Sequence, residues 1–389
     1  MILYFIGAGL TKSLALPTHP IPAMFDFIST ASEYLSDDVI LTTLAELENS
    51  HPYPYAWESP PCSNLAHRLV DRNEKRTPEM RKQFGQALRD RPSESIEDLL
   101  DRTGGEGSNF SSQSSDLRFR YAVARLFALI GWNVDWQPLD SFLRHHFQDP
   151  ASRHVFISYN YDLVLDHAIE RCTGRHLDFS RIYGFQPVGT IASDPNGHPG
   201  AAAQIGPLRR YGFADSSLSL FKPHGSLNWW VRIFQAGTSP DEIWHDATIV
   251  IPTTPTGEAR YVLSTDTHQW VQRSDGPFLV EPVLLTPCRA KTPTRKFLAG
   301  IREQEEVAIR SADEVYVLGW SIPRTDTDQE QLIRDAISKR TTPLARVTAV
   351  NLNAGVEYFR RVQQTFGVDG GSLRVCNSGF RQFVESQSP

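Results

Sequence analysis

Several short stretches of the chain carry residue types that can hold, or cut, a polar phosphorylated ligand. Gly7-Ala8-Gly9-Leu10-Thr11 follows the apolar run Ile2–Ile6. A glycine-rich turn between a strand and a helix brings backbone N–H groups close to a pyrophosphate. The third glycine of the dinucleotide fingerprint is missing, so this turn reads equally as an ordinary strand-to-helix connection. Asn160 and Asp162 follow a second apolar run, in Ser158-Tyr159-Asn160-Tyr161-Asp162. Their side chains suit a ribose hydroxyl or a water, but Asn and Asp are also favoured helix caps, and Asp162 reads first as a cap. His224, in Lys222-Pro223-His224-Gly225-Ser226, follows a short strand. A loop histidine beside glycine titrates near neutral pH and suits proton transfer. Gly319 and Ser321 end another buried run, Asp326 is either a cap or a site residue, and Asn351 ends a further run. Each is unspecific alone. Together they put Gly, Ser and Asn at the carboxyl ends of several strands, where nucleotide crevices are built.

The elements that must position these residues are readable from periodicity. Short apolar runs at 2–6, 154–158, 220–223, 283–286, 314–318 and 346–352 read as strands. Helical patterns cover 139–147, 162–172, 326–339 and 356–366, with further helices from Ser95 (Asp98 as capping-box partner) and over 116–131. Residues 178–290 are β-like and loop-rich, Gly104–Ser115 is a flexible loop by composition, and Asp194–Gln204 shows no packing pattern and reads as a mobile loop. Trp229-Trp230 reads as β-packing. His145, His146, His154 and His167 lack metal-ligand spacing and read as ordinary core or surface residues. Strands alternating with helices predict an α/β fold with a Rossmann-like, mainly parallel sheet. The expected organisation is a single domain over 1–389, its core from about 1–16 and 151–389, with a helical insertion over about 17–150.

Composition narrows the function classes. The 389 residues carry 39 Lys plus Arg against 45 Asp plus Glu, a net charge of -6. No global basic footprint is present, so direct nucleic-acid binding is not expected, a local patch such as Arg68 to Arg91 apart. Cys62, Cys172, Cys288 and Cys376 stand alone without any CxxC, which excludes a zinc ribbon and leaves a secreted disulfide framework without support; no zinc or other metal is expected. No run approaches the ~20 apolar residues of a membrane span, and Ile2–Ile6 is too short for a signal-peptide core. A cytoplasmic protein is the expectation.

In their order, GAGLT at 7–11, SYNYD at 158–162, KPHGSLNW at 222–229, VLGWS at 317–321 and VNLN at 350–353 resemble the sirtuin-like superfamily. SIEDLL at 95–100 and EPVLLTP at 281–287 are similar to its bacterial branch. The resemblance implies a fold that binds NAD as substrate and cuts its nicotinamide–ribose bond. The zinc module of protein-deacylating members is absent, and Tyr159 stands where those enzymes carry Gln. The nearer resemblance is therefore to bacterial anti-phage NAD hydrolases that act by abortive infection. It implies Asn160 and His224 as catalytic residues. Gly7, Ala8, Gly9 and Thr11 would cradle the phosphates, with Gly319, Ser321 and Asn351 lining the crevice and Asp162 and Asp326 open between site and cap. A lethal NADase must be gated, which implies a homo-oligomer or a partner, either a HerA-type motor ATPase or, less favoured, a short Argonaute protein. The alternatives are an NAD-dependent deacylase or ADP-ribosyltransferase, and a non-catalytic sirtuin-like scaffold.

Overall fold

Leu3, Tyr4, Phe5 and Ile6 are all buried, so the strand they form has both faces covered and an unbroken apolar sequence. This strand, β1 (Ile2–Ile6), is the centre of the molecule. The computed structural model describes residues 1–18, 20, 21, 23, 134–174, 182–183, 185–186, 189–193, 199–204, 209–210, 217–232, 248–250, 270–273, 276–285, 296–323 and 326–387. After β1 come α1 (Ala8–Leu14), α2 (Gln137–His146), β2 (His154–Ser158) and α3 (Val164–Thr173). A β-rich stretch follows: β3 (Phe185–Gln186), β4 (Gly189–Ser193), β5 (Pro199–Gln204), β6 (Arg209–Arg210), β7 (Leu218–Phe221), β8 (Gly225–Arg232), β9 (Thr248–Val250), β10 (Trp270–Arg273) and β11 (Gly276–Leu284). The chain closes with α4 (Lys296–Ser311), β12 (Glu314–Leu318), α5 (Thr327–Ser338), β13 (Arg346–Val350), α6 (Val356–Phe366), β14 (Leu373–Cys376) and α7 (Phe380–Glu385).

The main sheet runs β14-β13-β12-β1-β2-β7, and every neighbouring pair is parallel. The chain builds outward from β1 through β2 to β7, then returns to the other side of β1 with β12 and builds outward again through β13 to β14. This is the doubly wound Rossmann order, and its switch point lies between β1 and β12. The fold is therefore α/β with a Rossmann-like parallel sheet, as expected. Alternate side chains of β1 divide the core. Phe5 stacks among Tyr159, Trp320 and Phe366 on one face, while Tyr4 packs with Phe142, Phe156 and Tyr316 on the other.

A second sheet, β10-β11-β8-β9-β4-β5, is mostly antiparallel and is built from the stretch of chain between α3 and α4. It corrects one expectation. Pro199–Gln204 is strand β5, paired with β4, although its run of small residues shows no alternation. Strand formation there rests on main-chain pairing, which a side-chain pattern does not report. The remainder of that expected loop, 194–198, lies outside the described residues, as do the helices expected from Ser95 and over 116–131 and the loop at 104–115. Beside α1 the chain ahead of the expected insertion meets a residue within it. Ala15 and Val134 form an isolated bridge, and the Asp135 N–H donates to the Leu14 carbonyl at 2.8 Å. Helix α2, which the sequence groups with the insertion, packs Leu139, Phe142 and Leu143 into the sheet's core.

Candidate functional site

The carboxyl ends of β1, β2 and β12, with the turn after β7, bring most of the candidate residues together. At the switch point the glycines are required by backbone approach. A Cβ on Gly7 would fall 2.4 Å from the Trp320 Cα, and one on Gly319, whose φ is +64°, would fall 2.1 Å from the Leu10 nitrogen. The Gly7 N–H donates to the Leu318 carbonyl at 3.1 Å, and the Gly9 N–H to the Gly319 carbonyl at 3.0 Å. These glycines thus weld β1 to β12. Of the turn's early N–H groups, that of Ala8 donates to no described backbone group.

Asn160 and Thr11 sit just inside this turn. The Asn160 amide donates to the Gly7 carbonyl at 3.1 Å and to Thr11 Oγ1 at 3.0 Å, and Thr11 Oγ1 donates to Asp162 Oδ2 at 2.9 Å. A carbonyl only accepts, so the atom facing Gly7 must be the amide nitrogen. Both amide hydrogens are thereby committed, leaving Oδ1 as the group Asn160 can offer to a substrate. Asp162, one residue ahead of the helix's N-cap Leu163, serves both the helix start and the site. Its Oδ1 accepts the Val164 N–H at 3.0 Å, at the start of α3, while Oδ2 faces Thr11. Burial raises its carboxyl above the usual range, against the pull of Lys222 and the Thr11 hydroxyl.

A buried chain of polar groups continues from Asp162 to the residues that flank His224. Lys222, fully buried, donates from Nζ to the Asp162 carbonyl at 2.5 Å and to Asp166 Oδ2 at 3.0 Å. Asp166 also accepts the Tyr183 hydroxyl, Tyr183 accepts from Asn228 Nδ2 at 3.0 Å, and Asn228 Oδ1 accepts the Ser226 hydroxyl at 2.6 Å. Tyr161 adds a main-chain tie. Its carbonyl accepts the Leu227 N–H at 3.0 Å, its hydroxyl donates to the Leu285 carbonyl, and the Leu285 N–H donates to the His224 carbonyl at 2.7 Å. Residues on both sides of His224 are therefore fixed to the segment that carries Asn160 and Asp162.

His224 is buried, 6% exposed, with its ring centroid 5.1 Å from that of Tyr159. Its Nε2 lies 3.9 Å from Asp326 Oδ1, too far for a hydrogen bond but close enough to stabilise a protonated imidazole. Asp326 precedes α5, yet its carboxylate makes no cap: Oδ2 accepts the Trp320 indole N–H at 3.4 Å. Its backbone carbonyl instead receives the N–H groups of Gln329 and Glu330, at 3.1 and 2.9 Å. Between Ser321 and Asp326 the backbone carries strain, since Ile322, a β-branched and buried residue, has φ +49°.

The hydrogen bonds that join Asn160, Thr11 and Asp162 do not include two further candidates, Ser321 and Asn351. Ser321 is exposed. Asn351 Oδ1 accepts its neighbour's N–H, from Leu352, at 2.9 Å, and its side chain also meets Tyr358, whose hydroxyl donates to the Trp320 carbonyl at 3.0 Å. Sequence reasoning missed the supporting groups Glu305, Gln329, Lys222 and Asp166. Glu305 had a readable signal: it occupies an apolar position in the stripe Leu298, Ile301, Ala308 and Ala312 of the α4 segment. Among the described residues, no group of His, Cys, Asp and Glu is placed to hold a metal ion, and no helix is long and apolar enough to cross a membrane. Comparison with protein-family models and with curated proteins finds no match.

Proposed function

We propose that the chain is an NAD glycohydrolase that releases nicotinamide and ADP-ribose, an effector of anti-phage defence by abortive infection. The observation that carries this reading is the placing of His224, backed by Asp326, at the carboxyl edge of a doubly wound sheet beside the Gly7–Thr11 turn and Asn160. The resemblance of the ordered motifs to those of sirtuin-like NAD hydrolases suggests the substrate.

The chemistry suits these residue types. Nicotinamide in NAD is cationic, so the bond from C1′ to the ring nitrogen breaks with its electron pair going to that nitrogen, and the ring leaves neutral. The oxygen of water then bonds to C1′, and its proton passes to His224. Asp326 stabilises the imidazolium that results. Asn160, with only Oδ1 to offer, accepts from a ribose hydroxyl or from the attacking water and so fixes the geometry of attack. The Ala8 N–H faces a phosphate oxygen. Zinc has no place in this scheme.

Such an activity kills its host unless gated, and the reading therefore includes control by self-assembly or by a partner, a HerA-type ATPase before a short Argonaute. The test is NAD consumption by the purified chain, alone and with the product of a neighbouring gene, beside Asn160→Ala and His224→Ala. Nicotinamide and ADP-ribose in equal amounts, lost in both variants, support the hydrolase. NAD bound but never turned over, in any assembly state, replaces it with the scaffold. Turnover only with an acylated peptide or a protein acceptor replaces it with the transferase.

A further inference from the structure

Behind Tyr159, whose ring packs on His224, lies a buried acid that the mechanism above does not use. Glu305 on α4 is fully buried. Its Oε1 accepts the Tyr159 hydroxyl at 3.0 Å and also the Gln329 side-chain amide, whereas Oε2 and Gln329 Oε1 meet no hydrogen-bond partner. Each contact leads back to the site. The Tyr159 ring packs on His224 at 5.1 Å and on Trp320 at 4.7 Å, between centroids. Trp320 holds Asp326, and the Gln329 N–H is bonded to the Asp326 carbonyl. Glu305 thus closes a circuit that fixes the wall behind the imidazole and the first turn of α5 that presents its carboxylate partner.

We propose that Glu305 is a positioning residue for the His224–Asp326 pair, acting through Tyr159 and Gln329. It acts as the neutral acid. Burial pushes its carboxyl up to about 8, with the Tyr159 hydroxyl and the charge of Arg302 opposing. The groups that face it are Arg302 on its own helix, Tyr159 from the end of β2 and Gln329 from α5, with Asp326 acting on Tyr159 in turn. Below about pH 8 Glu305 therefore adds no charge behind Tyr159. Above it, ionised Glu305 places a negative charge behind Tyr159, the wall reorganises, and the imidazole loses its aim.

The proposal rests on the hydrolase reading for its effect on rate, but not for its effect on His224. Both are measured on the full chain. Histidine rings are labelled with carbon-13, and the His224 signal, assigned by its loss in His224→Ala, is followed against pH in wild type and Glu305→Gln. The expected result is an inflection of that signal near pH 8 in wild type that is absent from Glu305→Gln. An inflection that persists in Glu305→Gln, or that is missing from wild type, overturns the proposal. In parallel, Glu305→Leu lowers kcat roughly 10²-fold through misplacement, with KM held within about twofold. Glu305→Gln recovers most of that loss and lacks the wild-type decline above pH 8. Equal losses in the Leu and Gln variants, or a rise in KM alone, would also overturn it. Should Glu305→Leu fail to fold, the Gln variant and the His224 signal still decide. Wild type that never hydrolyses NAD sinks the hydrolase reading and leaves the His224 titration to judge this one.

Discussion

His224 Nε2 lies 3.9 Å from Asp326 Oδ1, and the second oxygen of that carboxylate takes the indole N–H of Trp320. The pair comes from opposite sides of the sheet's switch point, His224 from the turn after β7 and Asp326 from the loop after β12. An aspartate aimed at an imidazole, and left unused as a cap, is placed to stabilise the charged ring. Removing His224 is expected to lower NAD turnover about 10²–10⁴-fold, the range for a group that transfers a proton. Asp326→Asn keeps the shape and removes the charge, so it lowers turnover by a smaller factor while nicotinamide release remains detectable by chromatography. Equal rates in wild type and Asp326→Asn would remove Asp326 from the mechanism.

Thr11 is both acceptor and donor in the link between Asn160 and Asp162. Thr11→Val is nearly isosteric and leaves a buried amide hydrogen and a buried carboxylate oxygen without partners. A loss of about 1–3 kcal/mol in denaturant unfolding is expected, together with reduced turnover as Asn160 loses its anchor. Thr11→Ser restores both.

Two glycines with positive φ separate strain from steric exclusion. Gly225, φ +89°, would bring a Cβ to 1.8 Å from the Val283 carbonyl oxygen, whereas Gly174, φ +62°, has nothing within 4 Å of one. Gly174→Ala should cost only the left-handed backbone penalty, about 1–2 kcal/mol. Gly225→Ala cannot be accommodated without parting β8 from β11, and should cost more than about 3 kcal/mol and abolish activity at the adjoining His224. Similar melting temperatures for the two variants would contradict the contact.

The buried pair Lys222–Asp166 gives a test of anchoring. Lys222→Met strands a buried carboxylate and is expected to destabilise by about 3–5 kcal/mol. Adding Asp166→Leu removes that stranded charge and should recover part of the stability, while the His224 turn stays unanchored and turnover stays low. Recovery of both together would make the pair purely structural.

On the opposite face of the sheet, the Tyr4 hydroxyl meets Nδ1 of His146 and of His154, each at 3.0 Å. Burial, with neighbouring positive charge second, lowers His146 from 6.5 to about 4. As pH falls below 6.5 the unfolded chain takes up this proton before the folded one does. The stability that the neutral ring contributes is therefore complete above pH 6.5 and is lost between 6.5 and about 4. His146→Phe keeps the aromatic packing against Tyr4, Phe142 and Tyr316, and should flatten the fall in melting temperature across that interval.

Much of the frame is legible in the sequence because burial on both faces writes itself as unbroken apolar runs. The strands Ile2–Ile6, His154–Ser158 and Glu314–Leu318 and the helix Val356–Phe366 fall where such patterns place them. Asn160, Asp162 and His224 are legible too, as polar residues at the carboxyl ends of those runs. Local pattern did not find β5, whose small residues pair through the main chain alone. Roles needed the tertiary structure, since a side chain's partner is set by strand order and not by its neighbours in sequence. Asp326 stays open between cap and site residue until β12 is seen beside β1, with the carboxylate carried toward His224. Gly7 and Gly9 read as a phosphate cradle until their N–H groups are found bonded to the end of β12. Glu305 shows in sequence only as a charge in an apolar stripe, and helix packing decides its role by burying it against Tyr159 and Gln329, where desolvation keeps it neutral.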